Sequence, residues 1–214
     1  MKLLSVFTDE GFAAVEKKEA AVDRYEDALG SYLIKLTGHE LTERQNKDVS
    51  TYLHTLSDFE RISDHALNIA GSAKEMHDKK IAFSGEARHE MDVMIKAVSE
   101  IVRLTFSAFI EGNNDAAARV EPFEEWIDNL CDEMKLNHVE RLQKGQCTIH
   151  QGFVFNDLLT DFERISDHCS NIAVAMIELE ADLFDTHEYL NQVKEKRSAD
   201  FERVFEEYRK RFTL

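Results

Sequence analysis

Two copies of one acidic segment contain the residues best suited to chemistry in this sequence. Residues 58–70 read DFERISDHALNIA and residues 161–173 read DFERISDHCSNIA, so the two copies differ at two positions. Each copy holds a Glu and an Asp four residues apart: Glu60 with Asp64, and Glu163 with Asp167. On a helix, this spacing places both carboxylates on one face. Carboxylate oxygens in such a pair suit hard metal ions such as Mg, Ca, Mn or Fe.

A fainter repeat precedes each copy by about one helix. Residues 15–29 align with residues 120–134, and both segments contain a further Glu and Asp at the same spacing. Two such pairs from neighbouring helices bring up to four carboxylates into one volume, as in the metal sites of other helical bundles. The sequence therefore predicts eight metal ligands: Glu19, Asp23, Glu60, Asp64, Glu124, Asp128, Glu163 and Asp167.

A helical wheel indicates that these carboxylates are not ordinary surface charges. At about 100° per residue, Glu60 and Asp64 share an arc with leucines, and buried carboxylates need a proton or a cation. Arg61 and Arg164 project away from the glutamate beside them, which leaves a metal as the expected partner. His65 and His168 fall on the polar arc, which favours surface residues or neighbours of the ligands. Asn68 and Asn171 either orient a ligand or bond to a neighbouring helix.

The elements that must position these residues are helices. Only one Pro and eight Gly interrupt the chain, and apolar residues recur at helical spacing. Thr42 with Gln45 and Thr148 with Gln151 form capping boxes ahead of the two signature helices. The pattern predicts an all-α fold of two pseudo-symmetric antiparallel three-helix bundles, which arise by internal duplication and comprise residues 1–112 and 113–214. The fifth helix is expected to end near Asp182, and Asp185 or Thr186 is expected to cap the sixth.

The charge balance narrows the classes of partner. The 214 residues include 42 acidic and 26 basic side chains, a formal net charge of −16, which argues against binding to nucleic acid. No apolar run approaches the roughly 20 residues that span a bilayer. The three cysteines lack the spacing of metal ligands and suit a reducing compartment. These features predict a cytoplasmic protein.

The doubled ERISDH…NIA, each copy preceded one helix earlier by Glu-x-x-x-Asp, resembles the PhoU family. The resemblance covers nearly the whole chain and implies two three-helix bundles whose acidic motifs bind iron, zinc or manganese, in sites that can be multinuclear. The motif carries over to the eight acidic residues named above. Ser63 and Ser166 depart from the glycine that the family usually has between Ile and Asp, a change that should not disturb ligation.

The resemblance also implies a non-catalytic regulator of phosphate uptake that partners a membrane phosphate transporter. Segments such as STYLHTLSDFERISDH are more similar to PhoU-like domains attached to bacterial sodium/phosphate cotransporters, which would place the chain at the inner face of the membrane. A free-standing negative regulator of phosphate transport and signalling is the alternative. The sequence leaves open whether the chain forms a homo-oligomer.

Two other function classes remain. A carboxylate-bridged di-iron enzyme needs Glu-x-x-His on two helices, and only Glu86 with His89 has that spacing. A plain helical adaptor would use its acidic faces to bind basic partners. Metal content separates the adaptor from the metal-binding regulator, and turnover would identify an enzyme.

Overall fold

The computed structural model describes residues 1–180 and 199–214, and every regular element in those ranges is an α-helix. The helices are α1 (Lys2–Ser5), α2 (Asp9–Leu36), α3 (Glu43–Asp78), α4 (Gly85–Glu111), α5 (Asn114–Ala117), α6 (Val120–Gln143), α7 (Ile149–Glu180) and α8 (Ala199–Arg211). The predicted all-α helical-bundle class is confirmed. The predicted helix end near Asp182 and the cap at Asp185 or Thr186 lie outside the described residues.

The helix starts follow the capping signals in the sequence. Thr42 Oγ1 accepts a hydrogen bond from the Gln45 backbone N–H, and the Gln45 side chain accepts one from the Thr42 backbone N–H. Thr148 and Gln151 make the same reciprocal pair at the start of α7. Both predicted capping boxes are thus confirmed, and each satisfies backbone donors that the first helical turn leaves without a partner.

Two glycines end helices in the left-handed region of backbone space. Gly112 follows α4 with φ of 62°, and Gly145 lies just after α6 with φ of 67°. Residues with a Cβ adopt this conformation at a cost, so glycine suits both helix ends. The turns that follow direct the chain into α5 and α7.

The core lies where α4, α6 and α7 pack together. Its fully buried side chains come from all three helices and include Met94, Ile101, Phe123, Ile127, Leu158 and Phe162. Helix α8 covers α6, where Tyr208 stacks on Phe123 and Trp126 Nε1 donates to the Phe212 carbonyl. The signature helix α7 is therefore held on several sides by apolar side chains.

Helix α2 is packed more loosely than these core helices. Helix α2 packs on α3, and Leu33 is the only buried residue among the 28 that form α2. Helix α3 packs along α7, and the Phe59 ring contacts Phe106 and Phe109 of α4. Helices α3 and α4, which lie before residue 112, thus pack against α7, which lies after it. The division of the chain into residues 1–112 and 113–214 stays a prediction. No helix in the described ranges is both long and apolar enough to cross a membrane.

Candidate metal centre

Helices α6 and α7 bring together three of the predicted ligands in the second half of the chain. Glu124 and Asp128 lie one turn apart on α6, and Asp167 lies on the neighbouring α7. One carboxylate oxygen from each residue lies within 4.8 Å of the other two. All three side chains are partly buried. We refer to Glu124, Asp128 and Asp167 as the carboxylate triplet.

Asp128 has the least favourable surroundings within the triplet. Its Oδ1 atom is buried and finds no hydrogen-bond partner among the described residues. The pKa of Asp128 is raised to about 6, first by burial and then by the charges of Asp167 and Glu163. A buried carboxylate oxygen next to other carboxylates is stabilised by a proton or a cation. The triplet therefore fits a metal ion, and its oxygen ligands favour a hard one.

Glu163, the fourth predicted ligand of this half, is engaged by a lysine. Lys135 of α6 donates from Nζ to Glu163 Oε2 over 2.8 Å. The same ammonium group lies 3.7 Å from Asp132 Oδ1, on a side chain that is 81% exposed. Glu163 is thus neutralised beside the triplet, and it is absent from the group of three converging oxygens.

The equivalent carboxylates of the first half are not gathered in the same way. Glu60 and Asp64 share one face of α3 and are partly buried, whereas Asp23 of α2 is exposed and Glu19 is partly buried. The pKa of Glu60 is raised, chiefly by burial and then by Asp64, with a further contribution from Glu26. Across the described residues, the carboxylate triplet is the one group of three acidic, His or Cys side chains close enough to share an ion.

One of the two signature arginines corrects a prediction from the helical wheel. Arg164 Nη1 donates to Asp167 Oδ2 over 3.0 Å, and Arg61 Nη1 lies 3.6 Å from Asp64 Oδ2. Arg61 Nε also lies 3.6 Å from Glu60 Oε2. The prediction that Arg61 projects away from Glu60 was wrong, because this long side chain folds back over the carboxylates. Arg164 contacts Asp167 and not the Glu163 beside it, so the same prediction for Arg164 is not contradicted. Both arginine side chains remain about 60% exposed, so solvent weakens these ion pairs.

The remaining polar residues of the signature join the two copies to each other. His65 Nδ1 donates to Asp161 Oδ1 over 2.9 Å, and Asn68 Nδ2 donates to the same oxygen over 3.3 Å. In the reciprocal set, His168 Nδ1 donates to Asp58 Oδ1 over 2.8 Å and Asn171 Nδ2 donates to it over 3.1 Å. We refer to these two sets as the inter-half clasp. Each half thus supplies the acceptor for the donors of the other.

The burial of His65 and His168 in the inter-half clasp was not predicted from the sequence. The rings of His65 and His168 stack with centroids 5.7 Å apart, and both side chains are about four-fifths buried. The part of the polar arc that holds the histidines is the contact between α3 and α7. The asparagines take the second of their two predicted roles and bond to a neighbouring helix. The identity of Asp, His and Asn in both copies was the available signal, because a reciprocal contact needs the same residues twice.

Glu86 and His89, on which the di-iron alternative rests, lie in the first turns of α4. Both side chains are exposed, and neither belongs to the one group of converging metal-ligand atoms found in the described residues. Their surroundings therefore give no support to a di-iron centre built on this Glu-x-x-His segment.

The model of one protein family, described as the PhoU domain, matches residues 1–73 and 91–176. The chain belongs to the PhoU family. Its match to "Phosphate-specific transport system accessory protein PhoU homolog 1" of Thermotoga maritima has 30% identity over 137 residues, and covers 64% of this chain and 58% of the relative. A PhoU homolog of Clostridium acetobutylicum, named as an accessory protein of the same kind of system, is 23% identical over 80% of the chain and 78% of its own length.

Two solved structures share the fold. The crystal structure of PhoU from Pseudomonas aeruginosa superposes with a TM-score of 0.73 and 21% identity, over 81% of this chain and 83% of that one. The phosphate transport system regulatory protein PhoU from Streptococcus pneumoniae gives a TM-score of 0.71 and 20% identity, over 82% of each chain. At this level of identity, the two structures confirm the helical-bundle fold.

Proposed function

We propose that this PhoU-family chain is a non-catalytic, metal-binding regulatory unit of phosphate transport. Two observations support the proposal. The relatives from T. maritima and C. acetobutylicum are named as accessory proteins of phosphate-specific transport systems. The second is that carboxylate oxygens of Glu124, Asp128 and Asp167 lie within 4.8 Å of one another, while Asp128 Oδ1 is buried with no hydrogen-bond partner among the described residues.

The observation that carries the metal-binding part of the proposal is the state of Asp128. Glu124, Asp128 and Asp167 would hold the ion, with Glu163 beside them. The ion would supply positive charge between α6 and α7, where the described side chains leave Asp128 Oδ1 unsatisfied. Iron, zinc and manganese are the expected metals, and the all-oxygen ligand set favours iron or manganese over zinc. A second site at Glu19, Asp23, Glu60 and Asp64 is part of the proposal, with weaker binding.

Metal analysis tests this proposal directly. Protein purified without chelator should contain metal, and Asp128→Asn with Asp167→Asn should remove most of the metal bound by the second half. Asp132→Asn is the matched control, because Asp132 lies on the same helix but is 81% exposed. The variants should keep the helical circular dichroism of the parent. Equal metal content in the double variant and the parent would overturn the assignment of the site.

The regulatory role has its own test in cells that lack the native gene. The parent chain should restore normal control of radiolabelled phosphate uptake, and so should Asp132→Asn. The double variant Asp128→Asn/Asp167→Asn, expressed to the same level, should fail to restore it. Full restoration by the double variant would separate metal binding from regulation.

The proposed partner is a membrane phosphate transporter, and the proposed location is the cytoplasmic face of the membrane. The names of the two relatives favour an accessory protein that acts on a separate transporter. Attachment to a sodium/phosphate cotransporter rests on the sequence resemblance alone. The gene upstream of Met1 decides between these forms: an in-frame helical membrane domain would establish the attached form.

A further inference from the structure

Lys135 is a difference between the acidic residues of the second half and the equivalent acidic residues of the first half. Its Nζ lies 2.8 Å from Glu163 Oε2, and only 37% of its side chain is exposed. The arginines Arg61 and Arg164 contact the aspartates of both halves, so they do not distinguish them. Lys135 therefore places a positive charge beside the carboxylates of the second half, in addition to that of the signature arginine.

The first half has no such cation at the corresponding position. The alignment of residues 15–29 with 120–134 places Gly30 opposite Lys135 when it is extended by one residue. Gly30 lies on the side of α2 that faces α3, since a Cβ added there would meet Leu56 Cδ2 at 3.5 Å. The same alignment places Glu26 opposite Cys131, and Glu26 adds to the negative charge around Glu60. At these two positions the first half thus has a glutamate in place of Cys131 and a glycine in place of Lys135.

We propose that Lys135 takes the place of a metal ion beside Glu163. Its ammonium group neutralises Glu163 and so limits the carboxylate triplet to a single divalent cation. This inference rests on the proposed metal-binding function. Arg164 already pairs with Asp167, and Lys135 holds Glu163 in an ion pair, so one divalent ion is enough to compensate the triplet. Without Lys135, Glu163 would add a fourth carboxylate to the triplet, with one further negative charge and two further oxygens for a second divalent ion. Lys135 is therefore a residue that sets metal number without being a ligand.

The experiment counts Mn²⁺ ions bound to the full chain by equilibrium dialysis and elemental analysis. The starting protein carries Glu60→Gln and Asp64→Asn, so that binding by the first half is suppressed. It should bind one Mn²⁺ per chain, and adding Lys135→Met should raise this number to two. The matched control is Lys144→Met, because Lys144 also pairs with a glutamate but lies in an exposed pair remote from the triplet. An unchanged count after Lys135→Met would overturn the proposal.

Stability without metal gives a second, independent readout. In metal-free protein, Lys135→Met leaves Glu163 without its ammonium partner beside the triplet, so the melting temperature should fall more than in Lys144→Met. Saturating Mn²⁺ should then raise the melting temperature of Lys135→Met more than that of the parent. Equal responses of the two lysine variants to Mn²⁺ would contradict the role assigned to Lys135.

The two proposals fail in different ways. If Asp128→Asn with Asp167→Asn leaves the Mn²⁺ count of the parent unchanged, the metal site itself is wrong and the inference about Lys135 fails with it. If the double variant loses Mn²⁺ while Lys135→Met still binds one ion, the site stands and only the role of Lys135 is wrong.

Discussion

Helix α6 in the second half and helix α2 in the first half carry the same Glu-x-x-x-Asp spacing in different surroundings. Helix α6 packs against α4, α7 and α8, whereas α2 packs on α3 and has Leu33 as its one buried residue. In the second half Asp128 is partly buried and points an oxygen into the protein, whereas its counterpart Asp23 is exposed. A repeated motif thus specifies the carboxylates, while the packing around the motif decides whether they converge.

The largest expected effect concerns a buried ion pair between α4 and α6, to which α6 contributes Arg141. Arg141 Nη1 and Nη2 donate to the two Glu90 carboxylate oxygens over 2.7 Å each, and Asn137 donates to Glu90 as well. In the first half, the aligned position of Arg141 is Leu36. Glu90→Ala leaves a buried guanidinium without its counter-charge and should lower the free energy of unfolding by about 3–5 kcal/mol in urea denaturation.

The control for that variant is Glu140→Ala, which removes an exposed partner of Lys144 and should cost less than about 1 kcal/mol. If Glu90→Ala were no more costly than Glu140→Ala, the contrast between a tightly packed α6 and an exposed α2 would lose its energetic basis.

The inter-half clasp should respond equally from its two sides. Asp58→Ala and Asp161→Ala each leave one histidine and one asparagine donor without an acceptor at the contact of α3 and α7. Each variant should lower the free energy of unfolding by about 1–3 kcal/mol. Urea denaturation measures both, with Asp132→Ala as the exposed reference. A cost on one side alone would show that the reciprocal hydrogen bonds are not energetically equivalent.

The smallest effect comes from Asp128 itself and changes with pH. Its pKa in the folded protein is raised from 3.8 to about 6, so its contribution to stability is present below about pH 4 and is lost as pH rises through 6. In metal-free protein at pH 7.5, Asp128→Asn should therefore increase stability by about 1 kcal/mol, a value reduced for solvent screening. The gain should vanish near pH 4.

Thermal denaturation of metal-free Asp128→Asn at the two pH values provides the measurement, and Asp132→Asn should change little at either. A loss of stability in Asp128→Asn at pH 7.5 would mean that the Asp128 carboxylate makes a favourable contact, and that it does not need a cation.

Much of the fold followed from local signals in the sequence. Both capping boxes are confirmed, because each depends on side chains and backbone a few residues apart. The short helix α1 was not predicted, since its four residues carry no periodic pattern and no side-chain cap. The packing of α4 onto α6 and α7 was equally out of reach, because no local pattern says which helix an apolar face will meet.

The residue types of the candidate site could be predicted from the sequence, but which of those residues lie close together could not. The sequence named Glu124, Asp128 and Asp167 among eight equivalent acids, and the structure brings these three together. The role of Lys135 was not predicted, because Lys135 lies outside the repeated motif and contacts Glu163 on a different helix. For His65 and His168 the sequence left a surface position and a position beside the ligands open, because a helical wheel cannot separate a polar face in solvent from a polar face that meets another helix.

The central claim is that the second half holds the stronger cation site. Crystals of the parent protein soaked in Mn²⁺ would test it by anomalous diffraction. The strongest anomalous peak is expected among the oxygens of Glu124, Asp128 and Asp167, with a weaker peak or none beside Glu60 and Asp64. A strongest peak in the first half, or no peak at the carboxylate triplet, would contradict the account.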